Sequence, residues 1–216
     1  MKPGPDPGFG SPGNRGLAPV LFFALALLVA ACGGAKAKLD KLDRGATVLA
    51  FGDSLTFGTG ANPDESYPAV LAQLTGLKVV NAGVPGEVSA DGLARLPDAI
   101  DEAKPRLLIL CHAGNDFLQK LDDGKAASNV RAMIDLAKAR GIAVVLLATP
   151  KPGLPPSVPK FYGEIAEQEH VPIEDGILKD VLLDSGLKSD FVHPNAKGYA
   201  RIAEALAKLL KKSGAI

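Results

Sequence analysis

Five short apolar runs punctuate the chain: "TVLAF" (47–51), "KVVNA" (78–82), "RLLILC" (106–111), "IAVVLLA" (142–148) and a weaker "VPIED" (171–175). Each is continuous rather than alternating, the pattern of strands covered on both faces. Between them lie stretches of helical period at 67–74, 89–103, 126–140 and 161–169, with a last one at 196–212. The first follows Ser66 and is closed by Gly76, and the third is closed by Gly141. In the last, Ile202, Leu206, Leu209 and Leu210 share one face and lysines the other. Pro97 stands inside the second stretch and is expected to kink or split it. Strand and helix alternate, so with right-handed crossovers the pattern predicts an α/β fold, a three-layer α/β/α sandwich around a five-stranded, mainly parallel sheet.

The N-terminal segment has a different texture. "MKPGPDPGFGSPGNRG" carries Lys2 and Arg15 among glycines and prolines, and precedes the uncharged run "LAPVLFFALALLVAAC" (17–32). That run is shorter than a membrane-crossing helix needs and fits the apolar core of a signal peptide. "LVAAC" (28–32) resembles the lipobox of bacterial lipoproteins, which implies acylation of Cys32 and an anchor to the bacterial envelope, at the outer membrane or periplasm, since Gly33 does not signal inner-membrane retention. The plain alternative is a secretory signal cleaved after Ala30 or Ala31; the position of Cys32 directly after small residues favours the lipoprotein. The expected organisation is a signal peptide over 1–31, a polar tether over 32–45 and one α/β domain over 46–214.

The 24 basic and 24 acidic residues of the 216-residue chain balance, leaving no field to attract nucleic acid. With Cys32 lipidated, only Cys111 remains, at the end of an apolar run where a cysteine behaves as a small buried hydrophobe. Three scattered histidines lack metal-ligand spacing, so no metal or other cofactor is expected. "GTGANP" breaks G-x-G-x-x-G, no phosphate-binding G-x-x-x-x-G-K-[ST] occurs, and Thr56 spoils a G-x-S-x-G elbow. A dinucleotide enzyme and an α/β-hydrolase are thereby disfavoured.

In open α/β sheets ligands bind outside the carboxyl ends of the strands. Along that edge the sequence places Ser54 after the first run, "AGVPGE" after the second, "HAGND" after the third and the proline-rich "TPKPGLPPSVP" after the fourth. A serine becomes a nucleophile when a base takes its proton, and histidine suits that task near neutral pH. His170 reads as a surface residue and His112 as a strand-end polar group. His193, in "SDFVHPN", has Asp190 three residues before it, a spacing that lets one turn supply base and orienting carboxylate. Gly86 can present its N–H closely and Asn115 offers an amide to a developing oxyanion.

Together these blocks resemble the SGNH hydrolases, the GDSL esterase/lipase family, over nearly all of the chain from Thr47 onward. The resemblance implies a flavodoxin-like sheet and a nucleophile Ser54 in "FGDSLTFG". It implies an oxyanion hole of the Ser54 and Gly86 N–H groups and Asn115, and a triad completed by Asp190 and His193 in "DFVHPN". Ala113 departs from the glycine the family often places there, and an alanine does not readily take a positive φ. "VVNAGVPGEVSADGLARLP" is most similar to single-domain bacterial acylesterases acting as lysophospholipase, thioesterase and arylesterase. That implies hydrolysis of short-to-medium acyl esters, with lysophospholipids and acyl thioesters as further substrates; a monomer is expected, though the sequence leaves the oligomeric state open. Phe117, Leu118 and Leu121 are candidates for an acyl-contacting rim. A carbohydrate O-deacetylase or acyltransferase using the same site, and a non-catalytic binding lipoprotein, remain as alternatives.

Overall fold

A computed structural model describes residues 37–216 and Gly4. The expected signal peptide and Cys32 lie outside the described residues. The sheet contains β1 (Thr47–Gly52), β2 (Lys78–Gly83), β3 (Leu107–Cys111), β4 (Ala143–Leu147) and a short β5 (Ile173–Glu174), in the order β2-β1-β3-β4-β5. Every pairing is parallel, where the sequence pattern promised a mainly parallel sheet. The residues of β1 explain why its run is unbroken. Leu49 and Phe51 pack on one face with Leu108 and Leu110, while Val48 and Ala50 pack on the other with Leu107 and Ile109. Successive side chains of a strand point to opposite faces, so burial on both leaves no polar position.

The first face is covered by α3 (Ser89–Ala103), α5 (Asp123–Ala139) and α6 (Phe161–Gln168), which contribute Leu96, Ile100, Val130, Ile134 and Ile165 to its core. The second carries α2 (Tyr67–Thr75), α7 (Ile177–Leu183) and α8 (Ala196–Ser213), with Leu71, Val181, Tyr199, Ile202 and Leu206 inward. Asn195 caps α8 by accepting from Gly198 N at 3.1 Å, and Gly214 ends it in the left-handed conformation. Helix α3 is a single element running through Pro97 and is not split there. Three helices have no counterpart in the sequence pattern: α7 and the short α1 (Ser54–Phe57) and α4 (Gly114–Leu118).

The described part of the stretch expected to be a tether is docked. Leu39 N donates to Ser213 O and Leu42 N to Ala215 O, each at 2.9 Å, and both leucines pack on the α8 side of the core. A polar reading of "AKLDKLDRG" overlooks these two apolar anchors. Among the described residues no helix is long and apolar enough to cross a membrane.

The order of strands positions the site. From β1 the chain steps to β2 on one side, then returns past β1 to β3 on the other. The carboxyl ends of β1, β2 and β3 therefore border the crevice where strand order reverses, the place such sheets bind ligands.

Candidate active site

At the end of β1 the chain turns at Asp53, whose side chain accepts from Leu55 N at 3.0 Å and caps α1. Ser54 is thereby the first residue of a helix, its N–H has no intrahelical carbonyl to bond, and its side chain stands at the mouth of the crevice. Asp53 is buried, and burial raises its pKa against the opposing influence of His112, His193 and the Leu55 N–H.

From the far end of the chain comes the loop before α8. Asp190 Oδ1 accepts from the backbone N–H groups of Val192 and His193, each at 2.8 Å, and its Oδ2 faces His193 Nδ1 at 2.7 Å. A carboxylate accepts, so Nδ1 carries the proton and Nε2 is the bare acceptor. Nε2 lies 3.0 Å from Ser54 Oγ, so the serine hydroxyl donates to it. The three-residue spacing works because one carboxylate oxygen closes the turn while the other holds the ring. Burial disfavours the Asp190 charge, but the hydrogen bonds from the His193 ring and the Val192 and His193 N–H groups outweigh it and hold its pKa below the ordinary value. The loop is braced by Asn195, whose Nδ2 donates to Gly186 O at 3.0 Å and to Lys188 O at 3.3 Å.

Gly86, after β2, sits at φ +81° with open space where a side chain would project, and it lines the crevice. Asn115, at the start of α4, donates from Nδ2 to Glu87 O at 3.0 Å and, at 3.4 Å, to Asp53 Oδ2. Its neighbour Asp116 caps α3 from a distance, accepting from Ser89 N at 2.7 Å and Ser89 Oγ at 2.5 Å. Ala113 does adopt the left-handed conformation, at φ +85°, fully buried. Such a backbone costs a non-glycine residue roughly 1–2 kcal/mol.

The crevice opens into a cleft of about 370 Å³. Besides Ser54, Gly86, Asn115 and His193 it is lined by residues 150–154 and Pro156, by Leu182 and Leu183 of α7, and by Leu118, Phe191 and Val192. Leu154 is 89% exposed at its edge. Of the three rim candidates only Leu118 lines the cleft. Phe117 is turned into the core against Phe161, because α4 rotates neighbouring residues by about 100°, and Leu121, beyond the end of α4, is exposed outside the cleft. Residues 150–156 fall in the proline-rich segment already placed on this edge. The contribution of α7 gave no sequence signal, since "ILKDVLL" follows a glycine rather than a capping side chain.

The remaining candidates are accounted for elsewhere. His170 is exposed and His112 fully buried. Cys111 is buried beside Thr149 Oγ1, at 3.7 Å, and burial pushes its thiol far above the ordinary range, away from nucleophilic use. Among the described residues no group of three His, Cys, Asp or Glu side chains could hold a metal ion.

Comparison with known proteins places the chain in a family. The chain is 31% identical to esterase TesA of Pseudomonas aeruginosa over 179 residues, covering 76% of this chain and 88% of the relative. It is 28% identical to thioesterase 1/protease 1/lysophospholipase L1 of Escherichia coli K12 over 173 residues, covering 76% and 83%. The crystal structure of TesA superposes with a TM-score of 0.69 at 30% identity, covering 77% of this chain and 99% of the other. The GDSL-like lipase/acylhydrolase family model matches residues 50–201, spanning both the Ser54 and the Asp190–His193 segments, and the chain belongs to that family.

Proposed function

We propose that the protein, a carboxylic ester hydrolase of this family, works through an acyl-serine intermediate on Ser54 and takes short-to-medium acyl esters, lysophospholipids and acyl thioesters. The observation that carries the reading is the relay from Asp190 through His193 to Ser54, at 2.7 and 3.0 Å, opening onto an apolar cleft.

As Ser54 Oγ attacks the acyl carbon, its proton passes to His193 Nε2, and Asp190 stabilises the imidazolium and keeps the ring oriented. The oxyanion is met by the Ser54 and Gly86 N–H groups and by the Asn115 amide, whose longer contact to Asp53 is the one given up. His193 then protonates the leaving alcohol or thiol, and in the second half takes a proton from water as it attacks the acyl-enzyme. Leu118, Leu154, Leu182, Leu183 and Phe191 offer the acyl chain an apolar wall, which favours a hydrocarbon chain over a sugar. The name of the Escherichia coli relative, thioesterase 1/protease 1/lysophospholipase L1, supports thioesters and lysophospholipids as further substrates.

Export and anchoring by a lipid on Cys32 belong to the same proposal and rest on "LVAAC". Cys32→Ser is expected to abolish lipid labelling and release the protein from membranes; undiminished membrane association contradicts the anchor. For the activity, full-length protein is assayed on p-nitrophenyl esters of graded chain length, on lysophospholipid and on acetylated sugars. Hydrolysis that rises with chain length from acetate supports the acyl-esterase reading. Turnover confined to acetylated sugars, or none at all, overturns it.

A further inference from the structure

A second carboxylate–histidine pair lies beneath the cleft and takes no part in the proton transfers above. Glu87 follows Gly86 directly and leads into α3, with a side chain only 6% exposed. Arg95, on α3, grips it with Nε at 2.6 Å and Nη2 at 2.7 Å. The same Nη2 donates to Ala82 O in β2 at 3.1 Å, and the guanidinium lies over the Phe51 ring, 4.1 Å from its centroid. The remaining side of the carboxylate faces His112 Nε2 at 3.1 Å.

His112 has no freedom there. Ala113 N donates to its Nδ1 at 3.0 Å, so the proton sits on Nε2 and is given to Glu87. Tyr162 O–H donates to its carbonyl at 2.6 Å. Position 92 of α3 is glycine, and a Cβ there would collide with the imidazole. The end of β2, helix α3 and the turn after β3 thus converge on one buried carboxylate.

Burying such a cluster confers little stability that well-packed apolar side chains would not also give. What it does uniquely is fix the backbone around Glu87. Its carbonyl accepts from Asn115 Nδ2 at 3.0 Å, and Gly86 is bonded to it covalently. His112, three residues before Asn115, ties the turn bearing Asn115 to the loop bearing Gly86.

We propose that Glu87, clamped by Arg95 and His112, is a positioning residue that sets the spacing between the Gly86 N–H and the Asn115 amide so that both meet the oxyanion. The inference rests on the hydrolase reading with Ser54 as nucleophile. Misplacing donors that are present is a milder lesion than deleting one, which costs about 10²–10³ in turnover.

The test uses full-length protein, p-nitrophenyl butyrate, and active sites counted by fluorophosphonate labelling carried to completion. Glu87→Ala is expected to lower kcat per labelled site by about 10–100-fold and leave KM within about threefold, the signature of an interaction made in the transition state. Inhibition by butylboronic acid, which forms a tetrahedral adduct on the serine, is expected to weaken by a similar factor. Glu87→Gln keeps the volume but sets an amide N–H against one of the two donors, and Arg95→Lys keeps the charge but loses the fork. Both are expected to show smaller losses of the same kind, and Glu87→Gln carries the test if Glu87→Ala does not fold. Unchanged kcat per site and boronate affinity in the folded variants, with only a lower Tm, overturn the proposal. So does a raised KM at constant kcat. Ser54→Ala is run alongside: if it retains the wild-type rate, the hydrolase reading itself has failed.

Discussion

Among the described residues are two carboxylate–histidine pairs of the same chemistry and opposite freedom. Asp190 and His193 are three residues apart on an exposed loop, and the second ring nitrogen of His193 is left for Ser54. Glu87 and His112 are 25 residues apart in the interior, and the second ring nitrogen of His112 is occupied by the Ala113 N–H. A histidine with one nitrogen facing a hydroxyl can carry a proton between reacting atoms. One with both nitrogens engaged can only hold structure. The difference lies in what sits on the far side of the ring, since each pair by itself would satisfy a search for an acid beside a histidine.

Substitutions can break this comparison at graded cost. The largest effect is expected from His193→Ala, which removes the base; steady-state kinetics on a p-nitrophenyl ester are expected to show kcat reduced about 10⁴-fold or more, with Tm little changed. Asp190→Asn keeps the shape but favours the wrong tautomer, and a loss of about 10²–10⁴ in kcat is expected by the same assay. The buried pair is expected to answer in stability as well. Burial opposes the Glu87 charge, but the hydrogen bonds from Arg95 and His112 overcome it and hold its pKa at about 2, against roughly 4.3 in an unfolded chain.

A group whose pKa is depressed on folding stabilises the fold above its unfolded value, and that contribution fades as pH falls toward the folded one. Glu87→Gln is therefore expected to destabilise the fold by about 3 kcal/mol at neutral pH. Thermal melts of the variant should fall less steeply than wild type between about pH 4.5 and 2. The smallest effect is expected at Ala113→Gly, read by urea unfolding. Relief of the left-handed strain, about 1–2 kcal/mol, is offset by a lost buried methyl worth about 0.8 kcal/mol and by glycine's backbone entropy of roughly 0.5–1 kcal/mol. The net change should stay within about 1 kcal/mol.

The sheet was legible because burial on both faces leaves an unbroken apolar signature, and β1, β3 and β4 carry it. The loops that bear Ser54, Gly86, Asn115 and His193 were legible because each follows such a run or precedes the amphipathic α8. The rim was less so. Helices α1, α4 and α7 have at most seven residues, too short for a hydrophobic period to register, so Phe117 and Leu118 could not be told apart. Arg95 and His112 were invisible as partners of Glu87 because the contacts between α3, the loop after β2 and the turn after β3 join residues distant in sequence, and only the packed fold brings their polar atoms together. The docking of Leu39 and Leu42 depends likewise on the far end of the chain.

Ser54, activated by His193, is proposed to form the covalent bond to the acyl group. Intact-mass and peptide-mapping mass spectrometry of the full-length protein after reaction with a fluorophosphonate tests it directly. One adduct per chain, on the peptide bearing Ser54, with parallel loss of esterase activity and no adduct in Ser54→Ala, is the expected result. Labelling of another residue, or esterase activity that persists in the fully labelled protein, contradicts it.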